Sequence, residues 1–368
     1  EKLSYSLKPI RLLERARTYA LSNDSLIFDP EDGFGEVDDV DQWKRNHDKT
    51  RRIGLMVAQD DAVFTELLPD IVSNYSERLS DFGAGLADGS QNRKLIWQTL
   101  YKQLERTPSE KRQIAVMLGF LSSCAIHEPE LYQSILDSLI KDQLLGQWFP
   151  YFQMTSEVDK RGVERLIYVL DEQSVNIYSF EHLASGRRHE AINDDDLALL
   201  LQKLLNKAGG IWVAIRILNM RFYREKEELP SYSEKLIGIA RQALLQFPHE
   251  IRTSRKVNVD YELARIASVS LGGQEGVKPT SALCQQLAEG FKEYQIYSFD
   301  FPRLLKQIAL IQPIVFLNTF VGIEDDYIFR VQGFDDLETV DNPINQIPDA
   351  ILLEWCEQDP RIRYQLIV

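Results

Sequence analysis

Apolar side chains return every three or four residues along most of the chain, the spacing that places them on one face of an α-helix. Between positions 94 and 106, Ile96, Leu100 and Leu104 fall at i, i+4 and i+8, with Trp97 and Tyr101 beside them. Leu131, Ile135 and Leu139 repeat the spacing, as do Leu283, Leu287 and Phe291. The stretches 197–205 and 211–222 are apolar almost all round, which predicts helices at the centre of a core. Alternation with a period of two is scarce. Residues 327–334 read as a short strand or an extended loop, and nothing else invites a sheet. Helix starts are marked as well. Thr107-Pro108-Ser109-Glu110 predicts a capping box with Thr107 as N-cap and Pro108 in the first helical position. Ser231-Tyr232-Ser233-Glu234 predicts the same box without the proline. Glu128-Pro129 and residues 193–196 place acids at the positive end of further helices. The expected class is all-α.

Several of these helices share a plan. A run of small residues, a polar loop and an amphipathic helix follow one another at 83–87 and 96–104, and again at 119–125 and 131–139. The plan recurs at 183–186 and 197–205, and at 268–273 and 283–291. Trp97 and Tyr132 are 35 residues apart, and later spacings lie nearer 40 to 46. A helix-pair period of about 34 to 47 residues marks tetratricopeptide, armadillo and HEAT arrays, in which neighbouring units share one elongated core. The expectation is therefore a HEAT/TPR-like α-solenoid. An N-terminal helical segment is expected over 1–80 with a solvated acidic loop at 29–41, a repeat array over 81–320, and an irregular insertion with a terminal helix over 321–368.

Composition narrows the function classes. The 368 residues carry 42 Lys and Arg against 56 Asp and Glu, a net charge of −14. Neutralisation of phosphates, the source of general nucleic-acid affinity, is thus poorly supplied, and docking on anionic membranes is disfavoured. No window approaches the ~18 uninterrupted apolar residues of a membrane span. Cys124, Cys284 and Cys356 are far apart in apolar helical stretches and read as buried, reduced thiols of a cytoplasmic protein. The chain opens at Glu1 without an initiator Met or an apolar leader and stops at Val368 in an apolar run, as an excerpt of a longer chain is expected to do.

Few patterns carry chemistry. In Phe82-Gly83-Ala84-Gly85-Leu86-Ala87-Asp88-Gly89 the glycines fall at i, i+2 and i+6 with no preceding strand, so close helix packing accounts for them better than dinucleotide binding. No Gly-x-x-x-x-Gly-Lys-Ser/Thr occurs. The acidic stretches do not keep the register of a calcium loop. Cys124 and His127 make half a zinc site without a second pair, and read better as a core thiol and a helix-capping histidine. None of His47, His127, His182, His189 and His249 stands in a hydrolase or metalloprotease signature. No catalytic, cofactor-binding or metal-ligating residue is predicted. Two basic spots stand out: Lys44 and Arg45 with Arg51 and Arg52, and Arg187 with Arg188. Each is either a contact for an acidic partner or phosphate, or a helix face that balances the surplus acids. Trp148 and Phe149, next to Tyr151 and Phe152, are either partner anchors or a buried plug between repeats.

The segments Phe82-Gly83-Ala84-Gly85-Leu86-Ala87, Leu118-Gly119-Phe120-Leu121, Ile217-Leu218-Asn219-Met220-Arg221-Phe222 and Leu352-Leu353-Glu354-Trp355-Cys356-Glu357-Gln358-Asp359-Pro360-Arg361 resemble parts of the long helical C-terminal arms of large bacterial antiviral STAND-type (Avs-like) and related defence ATPases. The resemblance spans most of the chain and rests on packing motifs. It implies a sensor or scaffold arm that binds a phage protein, while an ATPase and an effector outside these residues supply oligomerisation and activity. None of the family's catalytic residues carries over. The expected function is a protein-interaction module, not an enzyme, in which Lys44, Arg45, Arg51, Arg52, Trp148, Phe149, Arg187 and Arg188 meet another protein without cofactor or membrane. Two other classes stay open. One is a helical-repeat nucleic-acid binder using Arg51, Arg52, Arg187, Arg188 and Lys203; the other is a structural arm that sets the geometry of an oligomer.

Overall fold

The computed structural model describes residues 11–22, 39–172, 174–223, 231–248, 256–293, 295–321 and 342–367, and among them every regular element is helical. Two compact units emerge. One comprises Glu1–Glu157 with Asp171–Val175, the other Val158–Leu170 with Asn176–Val368. The division falls inside the stretch 81–320 that the sequence reads as one array.

The first unit holds α1 (Leu12–Leu21), α2 (Asp39–Val57), α3 (Asp61–Ile71), α4 (Leu79–Gly89), α5 (Arg93–Arg106), α6 (Ala115–His127), α7 (Pro129–Leu139) and α8 (Phe149–Gln153). Helix α4 lies against α2 on one side and α6 on the other, so alternate helices form a row; α3 packs on α1 and α5 beside it. Glycine makes this row. A Cβ at Gly83 would stand 1.9 Å from the Val116 carbonyl oxygen, and one at Gly119 would stand 1.7 Å from that of Ser80. At Gly85 the distance to the Arg51 carbonyl oxygen would be 1.9 Å, and at Gly54 2.2 Å to that of Phe82. No side chain fits such gaps, so only hydrogen lets the backbones of α2, α4 and α6 touch. The glycines expected near helix ends thus lie within α4 and α6 and act on their neighbours. Val116, Met117, Phe120, Leu121 and Cys124 of α6 are all buried.

Local caps set the boundaries. Asp60 caps α3 by accepting from the Val63 amide at 3.1 Å, and Asn92 caps α5 through the Leu95 amide at 3.0 Å. The box expected at Thr107 is instead a helix stop. The Thr107 hydroxyl donates to the Gln103 carbonyl at 2.9 Å, Ser109–Lys111 makes one 3₁₀ turn, and α6 begins only at Ala115. Arg112 explains the difference, because it turns back and donates to the carbonyls of Leu104, Glu105 and Thr107, the acceptors that a helix end leaves open. Within the described residues α2 is helical from Asp39 on, so the last residues of the expected acidic loop are helical, while 29–38 lie outside the described residues.

The second unit holds α9 (Lys160–Glu172, as far as Leu170), a kinked 3₁₀ segment (Ile177–Ala191), α10 (Asp194–Leu205), α11 (Gly210–Phe222), α12 (Glu234–Gln246) and α13 (Lys256–Ser270). It continues with α14 (Gly273–Lys292), α15 (Pro302–Ile311), α16 (Pro313–Phe320), α17 (Asp349–Glu357) and α18 (Pro360–Ile367). Here two rows alternate. Ile177–Ala191, α11, α13, α15 and the turn Pro343–Gln346 pack in succession, and α10, α12, α14, α16 and α17 make the second row. Helices α11 and α15 begin at Gly210 and Pro302, with α13 of the same row between them. Asn193 caps α10 as its sequence predicts, accepting from the Asp196 amide at 2.9 Å. For α12 the cap is Ser233 and not Ser231, which puts the start two residues later than expected. Where one terminal helix is expected, α17 and α18 are two. The expected strand or loop at 327–334 lies outside the described residues. No helix among the described residues is long and apolar enough to cross a membrane.

Candidate interaction surfaces

The basic spot on α2 divides into two kinds of residue. Lys44, Arg45 and Arg52 are exposed. Arg51 turns across the row, and its Nε donates to Asp88 Oδ2 of α4 at 2.7 Å. One turn earlier, His47 Nδ1 meets Asp81 Oδ2, and the exposed Trp43 ring lies 3.9 Å from the His47 ring, centroid to centroid. Asp81 and Asp88 are two helical turns apart, on one edge of α4. From the far side the Ser123 hydroxyl of α6 donates to Asp88 Oδ1 at 2.6 Å, and His127 Nε2 lies 3.7 Å from the same oxygen. Burial pushes the Asp88 carboxyl up, but the bonds from Arg51 and Ser123 outweigh it and hold the group below the usual carboxylate range. The same bond raises Arg51.

Serine, aspartate and histidine therefore meet at one point, yet in the wrong order for nucleophilic catalysis. Ser123 donates to the acid itself and is buried, so no imidazole stands ready to take its proton. Burial pushes the neighbouring Cys124 thiol up to about 12, which leaves it unreactive. What the arrangement does is tie α2, α4 and α6 together by charge along the edge where glycine has brought them close.

The other sequence candidates land in different settings. Phe149 corrects the expectation of an exposed anchor: it is fully buried at the head of α8, together with Pro150 and Phe152. In the same core Trp97 lies 6.3 Å from Phe120 and meets Phe152 edge-on at 6.1 Å. An aromatic ring gains more from such packing than from water, so the plug is the reading realised at Phe149. Trp148 remains partly exposed. Arg187 is exposed in the left-handed backbone region, φ +60°, and its Nε donates to Glu190 at 2.8 Å. Arg188 donates to the Ser185 carbonyl at 3.0 Å, and Lys203 is partly exposed in the last turn of α10. Two of the five cations that a nucleic-acid surface would need, Arg51 and Arg187, are thus already met by acids.

A surface that sequence reasoning missed lies on the α11–α13–α15 row. The Arg265 guanidinium of α13 sits 4.7 Å from the Tyr223 ring centroid, just past α11, and 4.5 Å from that of Tyr261 on its own helix. Arg303, at the head of α15, lies 5.6 Å from the same Tyr261 ring. Contacts thus alternate as tyrosine, arginine, tyrosine, arginine across three helices. Hydrogen bonds lock Arg265 in place, from Nη1 to the Asn219 side-chain oxygen of α11 at 3.0 Å and from Nη2 to the Tyr261 hydroxyl. Arg303 is set by the residue before Tyr261. Asp260, buried on α13, accepts from the amides of Arg303 at 3.0 Å and Leu304 at 2.9 Å, and so caps α15 from a neighbouring helix. Beside the ladder Arg216 stands 3.9 Å from Glu262, whose carboxyl burial pushes up. Tyr223 and Tyr261 remain 44% and 46% exposed, which suits an interface. A faint signal exists: Tyr223 and Tyr261 are 38 residues apart, and so are Arg265 and Arg303.

No group of three His, Cys, Asp or Glu side chains among the described residues is placed to hold a metal ion. No protein-family model, no curated protein and no solved structure matches the chain.

Proposed function

We propose that the chain is a protein-interaction module, a HEAT/TPR-like α-solenoid acting as the target-recognition or scaffold arm of a larger bacterial STAND-type defence protein. The observation that carries this reading is the packing of helices on the next but one, in α2–α4–α6 of one unit and in both rows of the other. Stacked helix pairs need that arrangement, and it leaves a long, side-chain-rich surface free for a partner. The defence assignment rests on the resemblance of the packing segments, and the cytoplasmic setting on three buried, free thiols.

Capture followed by reconstitution tests the proposal. The chain is expressed in phage-challenged bacteria, cross-linked, and its bound proteins identified; the leading partner is then purified and rebound. One phage or host protein that rebinds with micromolar or tighter affinity supports the module. Retention of DNA or RNA with a steep salt dependence, and no protein that rebinds, overturns it. Self-association alone in sedimentation overturns target recognition in favour of a structural arm.

A further inference from the structure

We propose that the solvent face of the α11–α13–α15 row docks an acidic, partly apolar segment of a partner protein. The inference rests on the interaction-module reading and names the partner's chemistry. Arg216, Arg265, Arg303 and, one turn along α15, Lys306 reach solvent on this row, beside the carboxylates of Glu262 and Glu181 and, at the head of α15, Asp260 and Asp300. Neither Arg265 nor Arg303 is in an ion pair with a carboxylate among the described residues, and guanidinium groups left in this way favour an anionic partner. The Arg303 side chain is exposed, and its guanidinium forms no ion pair among the described residues but lies over the Tyr261 ring. Stacking holds a guanidinium plane still while leaving N–H edges for a carboxylate, so less side-chain freedom is lost on binding. Half-exposed tyrosines beside the charges supply apolar area, and the Tyr–Arg composition is that of interface hot spots. A protein segment fits better than a nucleic acid, because both tyrosine rings already carry a guanidinium that a stacking base would have to displace.

The probe is a fluorescein-labelled ten-residue peptide of alternating Glu and Leu, titrated against the full chain in ~50 mM salt and read by fluorescence anisotropy. A Lys-Leu peptide and a ten-nucleotide oligo-dT serve as comparators. Saturable binding of the Glu-Leu peptide is expected, with about a tenfold loss in Arg265→Gln/Arg303→Gln and a few-fold loss in Arg303→Gln alone. The single variant changes an exposed side chain and leaves the Arg265 hydrogen bonds intact, so folding does not confound it. The α2 variant Lys44→Gln/Arg45→Gln/Arg52→Gln should bind as the parent does. Absence of Glu-Leu binding, binding insensitive to both arginine variants, or tighter oligo-dT binding with the same sensitivity overturns the docking proposal. Loss of binding in the α2 variant instead overturns this surface while leaving the interaction module standing, since the module is judged by the partner that rebinds.

Discussion

Two helix rows, one in each unit, hold together by opposite means. In α2–α4–α6 the side chain is missing where the helices meet, and backbone lies on backbone at Gly54, Gly83, Gly85 and Gly119. In α11–α13–α15 no glycine plays that part. Gly210 and Gly276 tighten the turns before their own helices, against the Leu204 and Leu271 carbonyls, and Gly238 on α12 has open space around it. The second row is instead bridged by side chains: Arg265 reaches Asn219, and Asp260 caps α15. A backbone seam is intolerant of any added atom, whereas a bridged row depends on particular functional groups. The bridged row therefore also carries polar and aromatic groups outward, where a partner can meet them.

Four substitutions sharpen or break this contrast. The largest effect is expected for Gly119→Ala, whose methyl group would run into the Ser80 backbone; urea denaturation should show a loss of about 3 kcal/mol, from overpacking that no rotamer relieves. A loss below ~0.5 kcal/mol would mean that the seam does not need hydrogen at that position. Next comes Asp260→Ala, which strips a buried and a part-buried amide of their acceptor and should cost about 2 kcal/mol, with faster hydrogen exchange confined to the first turn of α15.

Asp88→Asn is smaller, about 1 kcal/mol near pH 7, because the amide oxygen can keep the Arg51 bond while the amide NH2 donates to the Ser123 hydroxyl in place of the bond lost. Its pH dependence is more telling. The folded Asp88 carboxyl binds a proton less readily than the unfolded one, so its stabilisation is fully present above the unfolded value of ~3.9 and disappears as pH falls through the lower folded value. Stability measured from pH 7 down to pH 2 should show the gap between parent and variant closing below about pH 4. The smallest effect has the opposite sign. Gly238→Ala, mid-helix and unobstructed, should raise stability by about 0.5–1 kcal/mol in the same denaturation experiment.

Local signals were legible where the cause is local. Ile96, Leu100 and Leu104 all face the core, as their spacing requires. Asn193 and Pro129 start helices because a cap oxygen and a missing N–H act within one turn. The glycine segment at 83–89 reads correctly as close packing, since a side chain absent on the buried side of a helix has few other uses. Thr107 misleads for a reason of the same range plus one: its box is sound as a pattern, but Arg112 uses the preceding carbonyls and extends the stop. Phe149 beside Trp148 shows the limit more sharply. Both are aromatic and neighbours in sequence, and the turn Gly146–Trp148 leading into α8 is what sends one into the core while the other keeps contact with water.

The chain's sequence by itself determined that it is helical, which stripes are buried, and where backbone must approach backbone, because periodicity and the absence of a side chain act over a few residues. Tertiary structure alone decided which backbone each glycine meets, that Asp88 gathers Arg51 and Ser123 from helices on either side, and that Arg265 lies over both Tyr223 and Tyr261. Apart from the Arg265–Tyr261 pair within one helix, the contacts between helices of one row join positions 28 to 42 residues apart, and their geometry is set by the rotation of one packed helix against another, which no local pattern encodes.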